Sequence, residues 1–319
     1  MHNIANIWMW IGFSVFLVSA LFIDTVVLGK KYLGPHTSIK ASLYWTMAWI
    51  ICALIFNALL WLDLYLTSTI SMANQKSLEF FAGYLIEKSL SIDNLFAFYV
   101  IFHQLHIPTI YQQRIFAIGI WSAIVLRLLL ILFGVWLITQ FHWILYAMGV
   151  FLFFTGIKMF FVEEHEKDLA ETWIIKIIKR FMRVTTDIQG KHFFISKNKL
   201  LYATPLFLGL IFIEISDIVF AFDSIPAIFA ITTDPFIVWT SNIFAILGLR
   251  ALYFLLAGMV YRLHMLKHGI ALVLVFVGIK MLIAPWINIS VMWSLSSIIS
   301  ILVIFSVLSV KYRKQEIIK

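Results

Sequence analysis

A single cysteine, Cys52, is present in 319 residues, and it lies inside an apolar run. That excludes a disulfide framework and a thiolate metal site. Charge is scarce as well: Asp, Glu, Lys and Arg make up 13% of the chain, against roughly 25% in a soluble domain. Hydrophobic residues reach 62% and the mean hydropathy is +0.98, so a soluble globular class is excluded. Runs such as Ile118 to Ile138 lack the alternation of polar and apolar residues that a transmembrane β-barrel needs. No basic segment precedes the first apolar stretch, which also runs on too long for a cleavable signal peptide. The formal charge of +8 does not indicate nucleic acid, because basic residues of a membrane protein mark its cytoplasmic loops.

What the chain has instead is a series of apolar windows of the length that crosses a bilayer as α-helix. Nine are expected, near residues 8–28, 42–62, 77–102, 115–138, 142–161, 200–230, 236–260, 266–284 and 290–310. With the N-terminus outside, the inward loops hold Lys30, Lys31 and Lys40, then Arg114, then the basic residues between Lys167 and Lys199, then Arg262 and Lys267. The C-terminal tail adds Lys311, Arg313, Lys314 and Lys319, and the outward loops hold Lys76 alone. This alternation predicts an all-α polytopic membrane protein with N-out/C-in topology and an odd number of spans.

An internal repeat organises the spans. Ser91-Ile-Asp93-Asn-Leu-Phe96-Ala-Phe98 aligns with Ile215-Ser-Asp217-Ile-Val-Phe220-Ala-Phe222; further along, Ile115-Phe-Ala-Ile118 matches Ile243-Phe-Ala-Ile246 and Gly156-Ile-Lys-Met159 matches Gly278-Ile-Lys-Met281. Each unit covers three spans, so the second enters the membrane from the opposite side. That is the inverted-topology repeat of secondary transporters, whose substrate site lies near the midplane. The chain therefore divides into an N-terminal two-helix segment (1–76), a first three-helix repeat (77–161), a linker (162–199), a second repeat (200–284), and a last span with a basic tail (285–319). In the linker, Trp173, Ile174, Ile177, Ile178 and Phe181 recur at near-helical spacing, which predicts an amphipathic helix on the cytoplasmic face.

Six acidic residues fall inside apolar spans: Asp24, Glu87, Asp93, Glu214, Asp217 and Asp223. Each costs about 2.5 to 3.5 kcal/mol at a bilayer centre on insertion scales. Ion pairs with the embedded Lys88, Arg127 and Arg250 would neutralise three, which leaves an excess of acid in a chain that is basic overall. Glu214 and Asp217, three apart, share a helix face. Pro226 is expected to break the helix and turn Asp223 inward. Asn94 and the hydroxyls of Ser91, Ser216 and Ser224 add neutral oxygens along a pathway. Carboxylate, amide and hydroxyl ligands suit a hard divalent cation such as Mn²⁺, Mg²⁺ or Ca²⁺. The histidines are absent from mid-span; His103 with His106, and His264 with His268, lie near inner ends.

Two stretches carry a resemblance. Gly83-Tyr-Leu-Ile-Glu87-Lys88-Ser-Leu-Ser-Ile-Asp93-Asn94-Leu-Phe and Phe212-Ile-Glu214-Ile-Ser-Asp217-Ile-Val-Phe-Ala-Phe-Asp223-Ser-Ile-Pro226-Ala-Ile-Phe resemble the two signatures of the TerC family. Thr232-Thr-Asp-Pro-Phe-Ile and Ser241-Asn-Ile-Phe-Ala-Ile-Leu-Gly-Leu-Arg250 resemble it too, and the length and span layout are most similar to the Alx branch. The resemblance implies a bacterial inner-membrane protein that exports Mn²⁺ and supplies it to exported metalloenzymes. Tyr99 and Leu90 stand where the first repeat would match Asp223 and Glu214, so an asymmetric site is expected.

The combined expectation is a secondary transporter, not an enzyme, with Mn²⁺ as substrate and protons as counter-ion and without an organic cofactor. Glu87, Asp93, Asn94, Glu214, Asp217 and Asp223 are expected around the ion. Asp24 is expected on the pathway, and Lys88, Arg127 and Arg250 as ion-pair or gating partners. The rival readings are a metallation or assembly factor that binds exported partner proteins, or transport of another divalent cation or an oxyanion.

Overall fold

The structure, a computed structural model, describes residues 5–28, 39–141, 143–161, 178, 180, 182–185, 188, 190–197, 200–257, 265–287 and 289–311. Of residues 26–28, 39, 93, 96, 197, 257, 266 and 310 the backbone is described but not the side chain. With no water in a bilayer core to bond an open backbone, apolar runs of this length close their own hydrogen bonds as helices. In chain order these are α1 (Ile7–Phe22), which passes into a π-helical turn (Ile23–Leu28), α2 (Ile39–Thr67), α3 (Ile70–Gln104), α4 (Thr109–Gln140) and α5 (Ile144–Phe161). The second half holds α6 (Pro205–Phe229), α7 (Pro235–Ile246), α8 (Leu249–Ala257), α9 (Leu266–Ile283) and α10 (Val291–Lys311). Polar residues cap where the spans begin: Asn6 accepts from the Met9 N–H at 3.0 Å, and Asp234, ahead of Pro235, accepts from Phe236 and Ile237.

Six helices, α1, α2, α4, α5, α6 and α10, are each long and apolar enough to cross a membrane, and the bent pair α7–α8 makes a seventh if counted as one span. The molecule is a multi-pass helical membrane protein. α3, at 35 residues the longest helix described, carries Glu79, Glu87, Lys88 and Asp93. α1 and α2 turn large apolar residues outward, among them Trp8, Val15, Tyr44 and Ile55. That is the lipid-facing half of an inside-out amphipathic pattern.

α5 lies along α9, α3 packs on α7 and on α6, and α4 packs on α6 and more lightly on α7. Gly156 and Gly278, equivalent in the two repeats, both sit in the α5–α9 seam. A Cβ on Gly156 would stand 2.7 Å from the Ala271 carbonyl oxygen, and one on Gly278 2.7 Å from the Phe153 nitrogen. Around α7, Phe13 of α1, Phe56 of α2 and Phe80 of α3 gather on Phe244, with ring centroids 4.8–5.9 Å apart.

Three expectations need correction. First, α6 runs through Pro226 to Phe229 without a break. Pro226 lies within the last turn, where its missing N–H frees a single carbonyl, and the Ala230 N–H closes the end on the Pro226 oxygen at 3.0 Å. The break of the second repeat comes instead at Leu247–Gly248, where α7 and α8 meet at 42°. Gly248 has φ +81°, and a Cβ there would meet the Trp49 ring at 2.6 Å. Second, α3 begins at Ile70, so the boundary expected at residue 76 falls inside it. Third, residues 200–203 form a strand rather than the start of a span. β3 (Leu200–Ala203) pairs antiparallel with β2 (Phe194–Lys197) and parallel with the short β1 (Arg183–Val184). Arg114 ties this small sheet to α4 by donating to the Lys191 oxygen at 2.5 Å. The amphipathic helix expected over 173–181 lies outside the described residues except for Ile178 and Arg180.

Candidate ion site between the repeats

Four helices each send one polar side chain to a common point. Arg127, midway along α4, is 1% exposed; Glu87 of α3 and Asn242 of α7 are fully buried, and Asp217 of α6 is 6% exposed. The guanidinium grips Asp217 with two atoms, Nη2 to Oδ1 at 2.8 Å and Nε to Oδ2 at 3.3 Å. Its Nη1 donates to Glu87 Oε1 and, at 3.1 Å, to Asn242 Oδ1. Arginine suits this place because its planar fork stays charged and pairs bidentately with a carboxylate. One cation thus serves two buried carboxylates. A third is close: Glu214, half-buried one turn before Asp217, accepts a hydrogen bond from Ser122 of α4. Gly119 lies beside it, where a Cβ would make ordinary contact with Glu214 Oε1 at 3.6 Å. The face shared by Glu214 and Asp217, expected from their spacing, is the face that meets α4.

Some polar atoms of this region are unpartnered among the described residues. Glu87 Oε2 and Ser91 Oγ, one helical turn apart on α3, have no hydrogen-bond partner, and neither do Asn242 Nδ2 or Ser224 Oγ. Buried polar groups are nearly always paired; of these atoms Glu87 Oε2, Ser91 Oγ and Ser224 Oγ have lone pairs free to accept, while Asn242 Nδ2 is a donor.

The remaining expected residues divide. Asn94 is buried on α3, and Ser216 and Asp223 are half-buried on α6. None of the three is a partner of Arg127. Asp93 lies on α3, but its side chain is outside the described residues. Lys88 has no carboxylate partner among the described residues; its ammonium donates to the carbonyl oxygens of Ala245 and Leu247 at 3.2 and 3.4 Å. These are the carbonyls that the α7–α8 break releases, and a cation is favoured at the C-terminal end of a helix. Arg250 of α8 pairs with Asp24, Nη2 to Oδ2 at 3.2 Å, and also donates to the Asp24 backbone oxygen. Asp24 is therefore tied into a second ion pair rather than placed in the Arg127 cluster. Among the described residues, which leave out the Asp93 side chain, no three Asp, Glu, His or Cys side chains converge to hold a metal. The guanidinium occupies the oxygens of Glu87 and Asp217 that a metal would need.

Asn242 and Ser122 are the participants that sequence reasoning passed over. Each had a signal, a polar residue in an otherwise apolar span, and Asn242 stands within the Ser241-Asn-Ile-Phe run already noted. Hydroxyl and amide side chains are tolerated in spans too often for that signal to decide alone.

A multi-pass helical bundle with a buried, acid-rich charge cluster where four helices meet defines the class of protein: an integral membrane protein built around an intramembrane ionisable site. The chain belongs to the integral membrane protein TerC family, whose profile matches residues 72–317. It is 47% identical over 310 residues to the Alx protein of Salmonella typhi, covering 97% of this chain and 96% of that one. Alx of Escherichia coli K12 is 46% identical over 316 residues, 98% of each chain. Both relatives are described as proposed membrane-bound redox modulators. An uncharacterised membrane protein of Myxococcus xanthus, STKORF319, is 44% identical over 294 residues, 92% of this chain and 89% of that one. No solved structure matches the chain.

Proposed function

We propose that this chain is a secondary transporter of the bacterial inner membrane that exports Mn²⁺ from the cytoplasm in exchange for protons. The observation that carries this reading is the Arg127 cluster, in which one guanidinium balances Glu87 and Asp217 while Glu214 stands one turn away. Two carboxylates to one permanent cation leave a net negative charge buried in a low-dielectric interior. Such a charge needs a second cation or a proton. Arg127 acts as a tethered counter-ion: it holds Glu87 and Asp217 when no metal is there, and an arriving divalent cation takes the carboxylates from it. Because carboxylates ligate only when deprotonated, the same groups exchange metal for protons. Carboxylate, amide and hydroxyl oxygens, with Cys52 as the sole thiol in the chain, favour a hard cation such as Mn²⁺.

Nine passes with the N-terminus outside complete the reading. α3 and α9 join the six apolar helices and the bent pair, and the two repeats run in opposite senses. In support, exchanging α3 with α6, α4 with α7 and α5 with α9 maps the α3–α7 contact onto α4–α6 and leaves the α5–α9 seam on itself. The redox role in the relatives' descriptions has no dithiol to act through within this chain, which has one cysteine. The transporter reading requires no covalent chemistry.

Mn²⁺ flux into proteoliposomes under an imposed pH gradient tests the proposal. Saturable, gradient-driven uptake that Asp217→Asn abolishes is expected, with Ca²⁺ and Mg²⁺ as competitors to define selectivity. No flux from folded wild-type protein would overturn it and favour a metallation factor that hands Mn²⁺ to exported proteins.

A further inference from the structure

At the end of the bundle where α3, α5 and α10 begin and α6 and α9 end, a cavity of about 600 Å³ opens. Its wall is chiefly apolar, with Leu78, Phe229, Ile231 and Met281 among its lining residues, while Gln75, Tyr146, Lys280 and Ser290 supply polar groups. Glu79 also lines it, but that carboxylate is fully engaged, accepting from Gln75 at 2.9 Å, Lys76 at 2.8 Å and Thr232 at 2.6 Å. Lys280 is different. It is half-buried in the last turn of α9, with no ion pair or hydrogen bond to another described residue. Lys76 and Lys280 share the single carboxylate of Glu79, the first through an ion pair and the second through space, so two ammonium groups face one carboxylate and one positive charge is in excess around the cavity.

Its depth in the membrane is marked independently. Trp143, on the α4–α5 connection, is 64% exposed, and Trp286 and Trp293, on either side of the α9–α10 connection, are 82% and 72% exposed. Bare tryptophans ringing one end of a helical bundle are the belt residues of the headgroup level. A cavity at that level, walled chiefly by apolar side chains and carrying an ammonium with amide and hydroxyl groups around it, matches a molecule with a phosphate at one end and hydrocarbon at the other.

We infer that this cavity binds the phosphate of a membrane phospholipid, with Lys280 as the anion contact and the apolar wall covering the first part of the acyl chains. A phospholipid is favoured over free phosphate because most of the wall would gain nothing from a purely polar ligand. The site is distinct from the Arg127 cluster and does not depend on the transport reading. A lipid seated there would brace the ends of α6 and α9 against the start of α10.

The test is native mass spectrometry of the full chain in detergent, titrated with short-chain phosphatidylglycerol, with inorganic phosphate as a second ligand. Wild-type protein is expected to retain one lipid that Lys280→Ala binds about tenfold more weakly, the scale of one lost charge-assisted contact. Lys280→Arg should keep that lipid, and Lys158→Ala, which removes the equivalent lysine of the other repeat, should leave it unchanged. Lipid retention unchanged in Lys280→Ala would overturn the inference, and so would inorganic phosphate that binds as tightly as the lipid or displaces it. Melting temperatures with and without lipid guard against misfolding, since a folded Lys280→Ala protein should lose the lipid-dependent stabilisation of the wild type.

Discussion

Arg127 has more to hold than any other side chain described, and its removal has a defined consequence. In Arg127→Ala, Glu87 and Asp217 remain buried without their partner. Breaking a buried pair from one side costs about 3 to 5 kcal/mol, so a large drop in melting temperature is expected in detergent at neutral pH without divalent metal. Adding Glu87→Gln and Asp217→Asn to that variant should restore much of the loss, because the uncompensated charges are gone. If the triple variant melts as low as the single one, packing rather than charge explains Arg127. Embedded acids, embedded bases and the shared face of Glu214 and Asp217 were legible from composition and spacing. Which base meets which acid was not, because pairing depends on helix contacts. Arg127, Lys88 and Arg250 look alike in the sequence, yet they serve a carboxylate cluster, a broken helix end and a single aspartate.

Among the elements, the α5–α9 seam and the α7–α8 break carry the sharpest demands. Gly278→Ala would push a methyl into the Phe153 backbone and the Gly149 oxygen, 2.7 and 2.8 Å away. A cost of about 1 to 3 kcal/mol is expected for such overpacking, read as a lowered melting temperature. Gly12→Ala is the control: nothing lies within 4 Å of a Cβ there, and the change should be neutral or slightly stabilising. Equal effects at both positions would show that the close approach is not limiting. That the chain is built mainly of long apolar helices followed from apolar windows, since a backbone in lipid has few alternatives to helix. Pro226 misled because a proline near a helix end costs little, whereas Gly248 sits where φ is positive and Trp49 presses from α2. The sheet formed by Arg183–Val184, Phe194–Lys197 and Leu200–Ala203 escaped notice because its last strand is apolar and continuous with α6.

For the whole molecule, the account requires opposite exposure of the two ends. After Cys52→Ser, cysteines placed singly at Trp143 and Trp286 should react with an impermeant maleimide added outside intact cells, and one at His106 should react only after the membrane is opened. Labelling of all three from outside would contradict the nine-pass topology. The family profile begins at residue 72, so α1, α2 and the first two residues of α3 lie outside the match, while the Alx relatives span nearly the whole chain. The Asp24–Arg250 pair binds that N-terminal segment to the second repeat. Composition and long apolar runs made the gross plan, a multi-pass helical membrane protein, readable. Which carboxylates converge was not readable, because the repeat is asymmetric and Asn242 has no acidic or basic signature.

The central claim is that Glu87 and Asp217 form a cation site which Arg127 fills in the metal-free protein. Its most direct test is Mn²⁺ binding to the purified full chain, counted by electron paramagnetic resonance of the free ion. The account predicts that Arg127→Ala binds one Mn²⁺ more tightly than wild type, that this ion stabilises the variant against heat, and that adding Asp217→Asn abolishes it. Folded Arg127→Ala protein that binds Mn²⁺ no better than wild type would contradict the claim.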